Sequence, residues 1–65
     1  MSLGEHLRLI IYFKDQSGFC CYLAEDRATA IADRAHILRD GLHGLKVVRA
    51  ELALYRGQTL VEKII

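Results

Sequence analysis

Residues 6–14 (HLRLIIYFK) alternate without a break, with Leu7, Leu9, Ile11 and Phe13 on one side and Arg8, Ile10, Tyr12 and Lys14 on the other. Successive side chains of a strand point to opposite faces, so this run predicts a β-strand with one wholly apolar face. That face has to be buried. The opposite face is itself apolar at Ile10 and Tyr12, so a fold that covers only one side of the sheet leaves the other ill suited to water.

Asp15-Gln16-Ser17-Gly18 supplies turn chemistry, and Phe19 to Leu23 reads as the returning strand. A loop of Gln16, Ser17 and Gly18, with Gly18 left-handed, pairs Asp15 with Phe19, Phe13 with Cys21, Ile11 with Leu23 and Tyr12 with Tyr22. Phe19, Cys21 and Leu23 then join the apolar face. Cys20 and Tyr22 fall on the other, with Lys14 opposite Cys20.

Residues 25–40 predict a helix with Asp26 as N-cap and Arg39 in the last turn. Ala24, Ala28, Ile31, Ala35, Leu38 and Leu42 fall at spacings of four and three, which draws an apolar stripe, and Gly41 and Gly44 mark the exit. In the last third, Val48, Ala50, Leu52 and Leu54 alternate with Arg49, Glu51, Ala53 and Tyr55. Leu45, Val48, Leu52 and Tyr55 also stand at helical spacing. A strand is favoured because Gly57 then turns the chain into Thr59–Ile65, another β-prone run. A two-residue turn there places Val61 and Ile65 on the core face; a three-residue turn would bury Glu62. The expected fold is α+β with order ββαββ, a four-stranded, mainly antiparallel sheet carrying one helix on one face. It forms one domain over residues 1–65, with residues 1–5 expected to be disordered or, in part, left over from cloning.

One helix covers one face. The face left open is expected to carry Arg8, Ile10, Tyr12, Cys20, Tyr22, Arg49, Ala53 and Tyr55, with Lys14, Leu60 and Ile64 about them. A chain of 65 residues buries only roughly 60% of its unfolded surface. This one is 52% hydrophobic, with a mean hydropathy of +0.16, so apolar surface remains to be covered. A homo-oligomer, a dimer by preference, is the expected answer. Arg8, Ile10, Tyr12, Tyr22, Arg49 and Tyr55 are the candidate interface or ligand-binding residues, since Tyr and Arg combine large contact area with a polar end.

Nine Lys and Arg against eight Asp and Glu give a net charge of +1, too little for a dedicated phosphate binder. Single-stranded nucleic acid stacked on the Tyr/Arg face is therefore an alternative and not the first reading. No apolar run reaches the length of a membrane span, and Met1 to His6 lack the pattern of a signal peptide. Cys20 and Cys21 are adjacent and make a poor disulfide with each other, which favours a reducing, cytoplasmic setting.

Candidate chemistry is sparse. His36 has Asp33 and Asp40 at helical spacing, and His43 follows, but such residues on an outer helix face are what solvent requires. Cys21 on the core face and Cys20 on the other are expected to pack rather than react. There is no GxGxxG or Walker-type loop, and Arg27 and Arg34 sit beside Asp26 and Asp33 as ion-pair material. No catalytic residue, metal or cofactor is nominated. The expected function is a homo-oligomeric binding or regulatory module whose ligand is a protein or small molecule. A small enzyme with a site between subunits, built from His36, His43 or Cys20, is the remaining alternative.

Overall fold

The strand with the wholly apolar face lies in the middle of the sheet. In the computed structural model, which describes residues 4–65, the elements are β1 (Glu5–Phe13), β2 (Phe19–Ala24), α1 (Arg27–Asp40), β3 (Val47–Arg56) and β4 (Thr59–Lys63). The four strands form one antiparallel sheet of order β2-β1-β3-β4, with α1 packed on one face, chiefly over β3. This is the α+β, ββαββ arrangement expected from the sequence. Leu7, Leu9, Ile11 and Phe13 of β1, Ala50 and Leu52 of β3, and Ala30 of α1 make the core. The strand begins at Glu5, inside the stretch 1–5 set aside from the sequence. The expectation for Met1-Ser2-Leu3 lies outside the described residues.

Both helix ends follow the sequence. Asp26 is extended (φ −143°, ψ 157°), and its Oδ1 accepts the Thr29 N–H at 2.9 Å. Hydrogen bonding by the Thr29 side chain, with that backbone bond added, holds the Asp26 carboxyl below its ordinary range. Gly41 ends the helix at φ +82°, and its N–H donates to the Ile37 carbonyl at 2.8 Å. Asp26→Ala is expected to lower the melting temperature at neutral pH. Because the carboxyl titrates lower when folded than when unfolded, the stability it adds is complete above about pH 3.9. It is lost as pH falls through the depressed folded value. Thermal melts of both proteins at neutral pH and near pH 3 check this, and an equal deficit at both would contradict it.

Four details depart from expectation. The first is the β1–β2 register: Tyr12 pairs with Phe19, Ile11 with Cys20, Leu9 with Tyr22 and Leu7 with Ala24. The offset from the expected pairing is odd, so the whole strand is turned over. Cys20, Tyr22 and Ala24 lie on the helix side, and Phe19, Cys21 and Leu23 on the open side. The cause lies in β2 itself, which is apolar at both parities and gives the pattern nothing to choose by. The end of β1 also leans toward β3, where Lys14 N–H donates to the Lys46 carbonyl at 2.9 Å.

Second, the helix is rotated. Ala30 is buried and Ile37 and Leu38 pack against the core, whereas Ala28, Ile31 and Ala35 are exposed. Alanines gain little from burial, so a stripe built from them fixes the helix weakly. Arg34 supplies a firmer tie, its Nε donating to the Ala50 carbonyl at 2.7 Å. Third, Phe13 pairs with Val47, leaving Val48 as an exposed bulge residue in β3. Fourth, the two-residue turn at Gly57 and Gln58 forms, with Gly57 at φ +61° as the first position of a type II′ turn demands. A bulge at Val61 then brings Glu62, not Val61, opposite Leu54. Glu62 is half exposed at the sheet margin, 3.4 Å from Arg27, so it escapes the cost of full burial. Ile64 packs against the core in place of Ile65.

Candidate functional site

The open sheet face gathers Arg8, Ile10, Tyr12, Arg49 and Tyr55, five of the six residues nominated from sequence, around Ala53. Tyr22 does not join them. Its ring stands on the helix side, opposite Leu9, for the register reason given above. Cys20 and Ile64, also expected on the open face, are likewise on the helix side. Cys21, expected in the core, is exposed on the open face, while Cys20 is half buried opposite Ile11 rather than Lys14.

This face covers its own centre. The Arg49 guanidinium lies 4.2 Å from the Tyr12 ring centroid, and that of Arg8 lies 4.3 Å from Tyr55. Cation–π attraction holds each pair, and both arginines are tied further. Arg8 donates to His6 Nε2 and to the Gly57 carbonyl, each at 2.8 Å. Glu51 lies 3.4 Å from Arg49 and 3.6 Å from Lys63. Beneath these side chains Ala53 is only 4% exposed. Bare apolar surface remains at both margins of the sheet, most of all on β2, where Leu23 is 75% and Phe19 63% exposed, against 54% for Leu60 and 47% for Val61 on β4. Phe19 leans on Tyr12, with ring centroids 5.8 Å apart.

On the opposite side a groove runs between α1 and β2. One hollow, of about 320 Å³, has Leu9 and Ala30 as its floor and Tyr22, Thr29, Asp26 and Asp33 along its walls. A second, lined by Leu9, Tyr22, His36, Ile37 and Leu42, adjoins it. The Tyr22 hydroxyl sits 2.9 Å from His43 Nε2. His43 adopts φ +54° in the helix exit loop. No sequence signal could have joined these two residues, because their contact depends on the β2 register.

The charged helix residues are engaged locally. His36 Nδ1 lies 3.1 Å from Asp40, and Arg39 bonds the same carboxylate at 3.0 Å. The hydrogen bond from Arg39 holds the Asp40 carboxyl below its ordinary range. Arg27 and Arg34, expected to pair with the neighbouring aspartates, instead reach Glu62 and the Ala50 carbonyl. Among the described residues no three His, Cys, Asp or Glu side chains gather as metal ligands, and no helix is long and apolar enough to cross a membrane. In comparisons with protein-family models, curated proteins and solved structures, nothing matches the chain, so a functional reading rests on its own geometry.

Proposed function

We propose that the protein is a small self-associating binding module without catalysis of its own, in which a second copy covers the apolar surface that one helix leaves bare. The observation that carries this reading is the exposure of Phe19 and Leu23 beside Tyr12 and Cys21 on one margin of the sheet. Contiguous apolar surface of this kind on a small domain marks an interaction site. The groove between α1 and β2 is the place for a ligand. Its apolar floor and the carboxylates of Asp26 and Asp33 suit a ligand with an apolar body and a cationic group.

Single-stranded nucleic acid is the less favoured reading. Bases stack on free aromatic faces, whereas Tyr12 and Tyr55 each carry a guanidinium, and Glu51 stands among those cations. Light scattering at micromolar concentration is expected to give a mass above the 7.4 kDa of one chain. The melting temperature should also rise with protein concentration, because association stabilises the folded form. A mass of one chain throughout, with a concentration-independent melt, would remove the reading.

A further inference from the structure

We propose that two copies join through β2, edge to edge and antiparallel, about a two-fold axis beside Cys21, so that two four-stranded sheets become one of eight strands. This rests on the self-association proposed above and names the surface responsible for it.

The direction of the backbone groups selects the register. Leu52 exchanges hydrogen bonds with Ile64 and Ile65, so the even-numbered residues in this part of β3 direct their N–H and C=O toward β4. Glu51 and Ala53 then face β1, and their partners Ile10 and Arg8 face β3. The donation from Lys14 to Lys46 follows the same parity. Leu7, Leu9 and Ile11 are left to bond Ala24, Tyr22 and Cys20. Phe19, Cys21 and Leu23 therefore turn their N–H and C=O groups outward, along an edge that among the described residues has no strand beside it.

An antiparallel partner satisfies all of these groups in one symmetric register only. Phe19 faces Leu23 of the second copy, Cys21 faces its own equivalent, and Leu23 faces Phe19. Moving the axis by one residue either way leaves one of the three without a partner. The side chains agree with the backbone. Phe19 and Leu23 are the two most exposed large apolar residues described, and this register sets each against the other across the axis. On the helix side Cys20 meets Tyr22. No residue from Phe19 to Ala24 carries a charge, so no like charges oppose each other, and none of the usual devices that blunt an edge strand is present. The helix lies chiefly over β3.

Directly opposed residues in a hydrogen-bonded antiparallel pair have Cα atoms about 5.5 Å apart, inside the disulfide range. Mild oxidation of Cys20→Ser, which retains Cys21, is expected to give a covalent dimer on a non-reducing gel. Cys21→Ser, which retains Cys20, should give none or far less. Leu23→Lys, which places a charge against Phe19 of the partner, is expected to reduce the scattering mass to one chain with the circular dichroism unchanged. Leu60→Lys, at the opposite margin, should leave the mass as it was. An oligomer that persists in Leu23→Lys and shows no Cys21 cross-link would overturn the β2 pairing while leaving self-association standing. A monomeric parent protein would overturn both.

Discussion

Leu52→Ala is expected to cost about 2–5 kcal/mol of folding free energy, the range for emptying a fully enclosed aliphatic site. Leu52 has no exposed surface, faces Leu9 across the central strand pair, and shares the core with Ile11 and Ala30. A domain of this length has roughly 3–10 kcal/mol in total, at about 0.05–0.15 kcal/mol per residue. The substitution thus removes a large share of it. The urea midpoint should fall steeply with little change in slope, at a protein concentration held fixed so that association does not enter. Leu52→Met, which keeps the volume, should cost less than about 1.5 kcal/mol. Similar midpoints for Leu52→Ala and the parent would mean that the core has been placed wrongly.

Gly41→Ala is expected to be the most damaging small change outside the core. Gly41 holds φ +82° and ψ −176°, a region that only glycine visits readily, and a Cβ there would strike the carbonyl oxygen of Leu45. That oxygen accepts the Leu42 N–H at 3.0 Å, in the bridge that closes the loop between helix and β3. The backbone conformation alone costs roughly 1–3 kcal/mol, and the displaced carbonyl adds to it. For a domain of this size the melting temperature should drop by about 5–20 °C. Gly44→Ala separates the two causes, because Gly44 is also left-handed, at φ +76°, but has open space where a Cβ would go. It should show the milder loss. Equal losses would mean that the contact with Leu45 does not matter.

What could be read from the sequence follows how much each segment discriminates between its own two sides. β1 has one face that is all apolar, and its place and orientation were legible. The Gly57 turn and the Asp26 cap were legible too, since each depends on a residue type with one strong local preference. β2 was not. Phe-Cys-Cys-Tyr-Leu-Ala is apolar whichever way it faces, so matching its alternation to that of β1 could not fix the register, and the three-residue loop which that matching favours turns the strand over. The same ambiguity took Tyr22 out of the nominated face and put Phe19 and Leu23 into it. In α1, alanine after alanine gave no preference for one side, and Arg34 anchoring to Ala50 was invisible because it answers a carbonyl beyond the reach of β4. Bulges at Val48 and Val61 break the alternation of strands whose residues otherwise kept their period.

The two margins of the sheet are unlike. β4 is short, bulged at Val61, and carries Glu62 and Lys63 beside its exposed Leu60 and Val61, while β2 pairs without a register shift and is uncharged. A sheet receptive on both sides adds molecule to molecule and ends as a fibre. In the pairing proposed above only β2 is receptive, so each molecule would be joined once. On the proposed pairing accretion would halt at a closed pair, with the greasy β2 strand hidden at its centre.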